Sequence, residues 1–361
     1  MKKILFSGLF LLSLVASVEA QNRREIAIPD IDGYKTLKCD FHMHTVFSDG
    51  LVWPTVRIDE AYKEGLDAIA FTEHIEYRPH KADIVADHNR SFDLCEKYAA
   101  NRDLLLIRGS EITRPMAPGH FNAIFLENSN ALEQKEWRDA FKEAKKQGAF
   151  IFWNHPGWEK QQPDTTLWFP EHTELLEMGC MDGIEVINDR LYTPEAMDWC
   201  EKYNLTMLGT SDIHQPIQVD YDFAKGEHRP VTLVFAKERS LQGIREALDN
   251  RRTAIYWGDN LIGKEVYLKQ LFEKSFKVEK VTVNEKNARI EVYNDSDVPF
   301  ILKKHNHPAG INYFRDMVIK PHSHHVIVVT LEEGVKHGNV EFEVTNFWVA
   351  RGKGMMYSLS F

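Results

Sequence analysis

Short apolar runs alternate with amphipathic stretches from Leu37 to Trp257. The runs predict strands over 37–43, 67–72, 104–109, 121–126, 149–153, 183–187, 205–209, 231–235 and 254–257. Helices are predicted between them. The segment 54–64 opens on Pro54 and stops at Gly65, the usual asymmetry of helix ends. The segment 132–147 puts Trp137, Phe141 and Ala144 on one face before Gly148, and 194–203 and 240–250 read the same way. This alternation predicts an α/β domain with a mainly parallel sheet. Polar clusters follow several strand ends, which favours a closed or distorted barrel over an open sheet.

Beyond Gly258-Asp259-Asn260 the texture changes. A connecting helix is predicted over 264–276. Short alternating strands at 281–283, 288–293, 300–302, 325–331 and 340–347 then predict a small β-sandwich. At the other end, Lys2 and Lys3 precede an apolar run over 4–18 and a Val18-Glu19-Ala20 cleavage-like site. The run is shorter than the ~20 residues of a membrane span, and reads as a cleaved signal peptide. The expected organisation is a leader over 1–20, a barrel over 30–262 and a sandwich-like domain over 263–361. The expected location is outside the cytoplasm, periplasmic or secreted, with no membrane attachment after cleavage.

Composition narrows the function. The 361 residues are 43% apolar and 27% charged, which excludes a disordered or low-complexity chain. Lys and Arg number 44 against 54 Asp and Glu, a net charge of −10, which excludes a general nucleic-acid binder. A small anionic substrate would need local Arg or Lys residues or metal ions. Cys39, Cys95, Cys180 and Cys200 lie in apolar stretches without a C-x-x-C pair, so buried thiols are expected; no disulfide pairing is assigned. The sequence sets no oligomeric state.

Sixteen His residues are many for this length, and their placement is patterned. The first strand ends in Asp40-Phe41-His42-Met43-His44, and side chains two apart on a strand share a face. Later strands end in Glu73-His74, Ser110-Glu111, Asn154-His155 and Ser211-Asp212-Ile213-His214, while His120 precedes another. One such residue is ordinarily a hydrogen-bonded core group. Several His and carboxylates gathered at one end of a barrel are costly to bury unless cations lie between them. Ligands of this type without thiolate suit zinc, manganese or iron. The spellings His305-Asn306-His307 and His322-Ser323-His324-His325 lie in Lys- and Pro-containing turns and read as loop histidines.

The stretches His42-Met43-His44, Asp49-Gly50, Thr72-Glu73-His74, Gly109-Ser110-Glu111, Asn154-His155-Pro156 and Ser211-Asp212-Ile213-His214 together resemble the PHP (polymerase and histidinol phosphatase) phosphoesterases, over about 37–257. The resemblance implies a distorted (β/α)7 barrel and two to three divalent metal ions. It implies His42, His44, Glu111 and Asp212 around one metal, Glu111 bridging to a second with His120 and His155, and Asp49, His74 and His214 on a third. Asp49 stands where several members have His, and Glu73 is read as a supporting residue. More weakly, a leader plus an appended β domain resembles an exported phosphodiesterase subgroup.

The expected activity is metal-dependent hydrolysis of a small phosphorylated substrate, with the diester slightly favoured over the monoester. Such hydrolysis needs a hydroxide at neutral pH, which metal coordination supplies, and relief of charge on phosphoryl oxygens. Glu111, Asp212 and His155 are the expected catalytic group. Arg114 and Arg190, with Arg78 behind them, are the candidates for gripping phosphate. Trp153, Trp158 and Trp168 are candidates for a pocket wall or for core packing. Two other readings fit the same ligands: an amidohydrolase-like C–N or lactone hydrolase, and an exported metal-binding protein without turnover.

Overall fold

The structure, a computed structural model, describes residues 23–361, so the leader assigned to 1–20 lies outside the described residues. The first domain contains β1 (Lys35–Asp40), β2 (Ala68–Phe71), β3 (Leu105–Thr113), β4 (His120–Ile124), β5 (Phe150–Trp153), β6 (Gly183–Asn188), β7 (Leu191–Tyr192), β8 (Thr206–Thr210), β9 (Val231–Ala236), β10 (Thr253–Trp257) and β11 (Asn260–Gly263). Its helices are α1 (Pro54–Glu64), α2 (Arg90–Asn101), α3 (Trp137–Lys146), α4 (Pro170–Glu177), α5 (Pro194–Tyr203), α6 (Ile217–Asp220) and α7 (Leu241–Asp249). Helix α1 ends as its sequence predicts: Gly65 takes a left-handed φ of 88° and closes the last turn onto Ala61 and Tyr62.

The strands form a curved sheet in the order β9-β1-β2-β3-β4-β5-β6, with β8 on β6. Its ends meet where the Gly209 N–H donates to Thr232 Oγ1 and the Thr232 hydroxyl donates back to Gly209 O. The sheet is more mixed than the alternation predicts. Strands β1-β2-β3 and β5-β6-β8 are parallel, but β3-β4-β5 and β9-β1 are antiparallel. The loop from β3 to β4 is too short for a crossover, so β4 must return antiparallel.

Helix α8 (Glu265–Ser275) leads into β12 (Phe276–Val283), β13 (Asn287–Asn294), β14 (Phe300–Lys304), β15 (Ile311–Asn312), β16 (Asp316–Ile319), β17 (His324–Leu331), β18 (Asn339–Ala350) and β19 (Lys353–Ser360). These pack as an antiparallel sandwich of β12-β13-β17-β15 against β16-β14-β18-β19. The junction is not a bare linker. Strand β11 pairs in parallel with β18, Leu261 against Phe347 and Ile262 against Trp348, so one sheet runs through both domains. One apolar core follows it, from Phe71 and Leu233 through Phe272 of α8 to Phe300 and Phe342. All four cysteines are buried and unpaired. His324 and His325 open β17 rather than lying in a loop, and His324 and His322 bond to Glu279 and Asp297.

Candidate metal centre

Several of the chemically important side chains are set by backbone bonds just past a strand end, while Glu111 lies within β3 and His120 opens β4. After β1 stops at Asp40, the chain stays extended. The Asp212 N–H donates to His42 O (2.9 Å), the His44 N–H to Ile213 O (3.0 Å) and the Thr72 N–H to Met43 O (3.1 Å). Strand β3 reaches deeper, because it changes partners at Gly109, from β2 on one side to β4 on the other. A Cβ there would lie 2.9 Å from Ile124 Cγ2 and 3.0 Å from Phe71 O, so only glycine lets the three strands meet. Two residues on, Glu111 is driven into the centre of the barrel mouth, fully buried. His155 and Asp212 take positive φ values of 31° and 50°, a strained backbone that aims both side chains inward.

Three groups of ligand atoms result: His42, His44 and Asp212; Glu111, His120 and His155; and His44, Asp49, His74 and His214. Asp212 Oδ1 stands 3.0 Å from Nε2 of both His42 and His44, whose own Nε2 atoms are 3.1 Å apart. Glu111 touches every group. Its Oε2 lies 3.3 Å from His42 and His44 and 3.0 Å from His74 Nδ1, and its Oε1 lies 2.7 Å from His120 Nδ1. Asp49 Oδ1 is 3.2 Å from His214 and 3.4 Å from His74. His44 stands in two of the groups, its Nε2 3.0 Å from Asp212 Oδ1 and its Nδ1 3.7 Å from Asp49 Oδ1.

The arrangement fits divalent cations. Ligands bound to one ion at ~2.1 Å stand ~3.0–3.4 Å apart, and within the His42, His44 and Asp212 group the atoms stand 3.0–3.1 Å apart. Asp49 Oδ1, Glu111 Oε1 and His120 Nδ1 are buried atoms without a hydrogen bond of proper geometry, although oppositely charged groups lie close. Without a cation, the carboxylates and imidazoles balance one another. Burial pushes the Asp212 and Glu111 carboxyls up, but the neighbouring imidazoles outweigh it and hold both well below the usual range. Burial pulls His42 and His74 down, yet Asp212 and Glu185 raise His42 well above its ordinary value, and Glu111 and Asp49 push His74 up to about 10.

A supporting layer fixes these ligands. Glu185, in the middle of β6, accepts from His42 Nδ1 (2.7 Å) and Thr210 Oγ1 (2.6 Å) on one oxygen, and from His155 N (2.7 Å) and Asn188 Nδ2 (2.9 Å) on the other. That bond turns His42 Nε2 toward the centre. Nothing about Glu185 draws attention in the sequence except a charge inside an apolar strand, which is costly to bury unless it is matched. Glu73 accepts from Thr45 and from Ser48 Oγ (2.6 Å), and Ser48 Oγ lies 3.2 Å from His44 Nδ1. Asp40 binds Ser211 and the buried Arg229 (3.0 Å), tying the Asp212 loop to β1.

The arginine expectations need correction. Arg190 lies in a separate groove, where it bonds to Asp220 O and Glu227, and it does not line the centre. Arg114 does reach the mouth, but its guanidinium is committed to Glu76 (2.7 Å) and to the carbonyls of Gln134 and Lys135, while its own carbonyl accepts from Gln161. Adjacency to a strand end along the chain did not fix where these long side chains point. Arg78 is likewise outside the cavity lining. Trp153 and Trp168 are packed in the core against His172 and Trp199, and Trp158 faces the cavity.

A barrel mouth with buried His and carboxylate clusters defines a candidate centre for divalent metal ions. An Ig-like domain family model matches residues 275–360. Among solved structures, a two-domain protein from Bacteroides vulgatus containing a predicted PHP-like metal-dependent phosphoesterase is 65% identical, over 94% of this chain and 99% of that one, with a TM-score of 0.93. The chain belongs to the PHP-like metal-dependent phosphoesterases, in a two-domain form with a C-terminal Ig-like domain. A candidate metal-dependent phosphoesterase from Bifidobacterium adolescentis (18% identity, 49% of this chain and 87% of that one, TM-score 0.38) and an amidohydrolase from Chromobacterium violaceum (15%, 49% and 88%, 0.37) are too distant to carry weight. No curated protein matches the chain.

Proposed function

We propose that the protein hydrolyses a small organic phosphodiester outside the cytoplasm, using ions held by His42, His44, Asp49, His74, Glu111, His120, His155, Asp212 and His214. The observation that carries this reading is the contact of Glu111 with all three ligand groups, which brings their charges to one point. Divalent ions there, zinc, manganese or iron by ligand type, would supply Lewis-acid relief of phosphoryl charge and a lowered water pKa. The chain's own residues bind and orient. Glu111 and Asp212 concentrate negative charge at the floor, Glu185 holds His42 and the His155 backbone in position, and Trp158 and Tyr77 narrow the mouth to water. In the net reaction a water oxygen bonds to phosphorus, one ester P–O bond breaks, and the leaving oxygen departs as an alcohol carrying a proton from that water.

Two features favour a diester. The cavity is about 750 Å³, room for groups on both sides of a phosphate. Among the described residues lining it, the one arginine already has its guanidinium occupied, whereas a monoester dianion is commonly gripped by a free arginine fork. The reading is tested by nitrophenolate release from bis(p-nitrophenyl) phosphate and from p-nitrophenyl phosphate, with manganese- or zinc-reconstituted protein and a chelated control. Chelator-sensitive turnover with the diester faster is the expected result. A faster monoester would overturn the diester assignment, and turnover of neither would overturn the phosphoesterase reading for this chain.

A further inference from the structure

Part of the cavity lining offers no metal ligand. Trp158 stands with its ring 5.1 Å from His155 and 5.7 Å from His120. Tyr77, half exposed, stands edge-on to His74 at 5.8 Å. Two aromatic rings therefore flank the row His74, His120 and His155. The turn under Trp158 is held in place. The turn carrying Trp158 is closed by its N–H on His155 O and by Gln162 Nε2 on Pro156 O (2.8 Å). Arg114 then links this turn to the opposite side, its carbonyl accepting from Gln161 and its guanidinium ion-paired with Glu76, next to Tyr77. On the rim the Lys160 ammonium sits 5.3 Å from the Trp158 ring centre, and no carboxylate pairs with it among the described residues.

We infer that Trp158, Tyr77 and Lys160 form the subsite for the organic part of the substrate, and that this part is a planar aryl or heteroaryl ring with negative charge on or beside it. Half-buried aromatic faces fixed at a polar mouth exchange water for a flat ring without reorganising. A cation free of protein partners beside that face adds a preference for charge. Arg114 is a positioning residue in this scheme, acting through the two loops it ties together. The inference rests on the phosphoesterase reading, because it takes the phosphorus to sit at the ion-binding floor.

The test is calorimetric binding of methylphosphonate, phenylphosphonate and 4-carboxyphenylphosphonate to metal-reconstituted protein, with metal content measured for each variant. In wild type the phenyl ligand should bind about tenfold tighter than the methyl one, the size of one stacking contact. W158A should abolish that ratio, W158F should restore most of it, and K160M should remove the added preference for the carboxyphenyl ligand while keeping the phenyl-to-methyl ratio. If W158A loses metal, Y77A decides, with a reduced ratio expected. A ratio unchanged in W158A that retains its metal, or in Y77A where W158A does not, overturns the ring subsite; an unchanged carboxyphenyl preference in K160M overturns the charge assignment. Ring-selective binding without turnover of any phosphoester would instead overturn the parent reading, and turnover without ring preference would overturn this inference alone.

Discussion

Glu185→Gln exchanges one carboxylate oxygen for an amide nitrogen at almost constant volume. In the native site both oxygens only accept, one from His42 Nδ1 and Thr210 Oγ1, the other from His155 N and Asn188 Nδ2. An amide can serve one of these pairs. Its NH₂ group must then face donors on the other side, leaving buried donors unmet at a cost of about 1–3 kcal/mol to the fold. His42 also loses the charge that turns its Nε2 inward, and lost partners of metal-binding imidazoles lower affinity by about 10–100-fold, or ~1.4–2.7 kcal/mol. The assay is competition of chelator-stripped protein with an indicator for manganese or zinc, alongside a urea melt. Metal affinity should fall by that factor, and activity should return in part at high metal concentration. Wild-type affinity in both E185Q and E185A would refute the orienting role.

Loading metal should release protons. His42, His74 and His214 all have raised pKa values in the cation-free site, burial lowering each and the adjacent carboxylates prevailing. Near pH 7 each must release its proton to the buffer for a metal to bind, so affinity rises with pH and the heat of binding depends on the buffer's ionisation enthalpy; no buffer dependence would contradict it. His172 should make stability fall in acid. Its Nδ1 accepts from Phe169 N and its Nε2 donates to Pro118 O, and burial pushes the pKa down to about 4. The folded value lies below the unfolded one of ~6.5, so the unfolded chain binds the proton first; stability is intact above pH 6.5 and is lost toward pH 4, by ~3 kcal/mol in full. Urea midpoints at pH 7 and 4.5 should diverge less in H172Q, and equal divergence would exclude His172. R190A should leave kcat/KM within about twofold, as for other exposed positions. R114A should raise KM by loosening the Trp158 and Tyr77 loops, and equal effects of the two would contradict the different places they occupy.

The His and carboxylate residues that the structure gathers into three clusters were legible because each lies in, follows or sits near a strand end, where a local pattern of two or three letters carries the information. His42 and His44 converge as the two-residue period requires, even though β1 stops before them. Of the supporting layer only Glu73 was legible. Glu185 and Arg229 act through partners far away in the chain, and a single charge in an apolar run does not say which groups it will meet. Arg190 lies away from the centre, and Arg114 reaches the mouth with its guanidinium turned to other partners, for a related reason, since several rotatable bonds separate a guanidinium from its place in the sequence. In the fold, the strands and helices that the pattern predicts are present, but helices α2 and α4 were not predicted; α2 buries only Ser91, Cys95 and Ala99, too weakly apolar a face to mark it. Strands β11 and β19 escaped notice because one is short and the other, Lys-Gly-Met-Met-Tyr-Ser-Leu-Ser, has weak alternation.

The shared ladder between β11 and β18 makes the two halves of the molecule a single load-bearing piece. Swinging the Ig-like half across the mouth as a cover would require tearing the main-chain bonds at Leu261 and Ile262 and the ion pairs of Arg351 with Glu195 and Asp198. The same seam bears on the inheritance of the two halves. A cut near Gly263 would bare an unpaired strand edge and Phe272's apolar partners, a surface prone to stick to its neighbours. Neither half is free to be shed by a protease or traded for another module without repair of that seam.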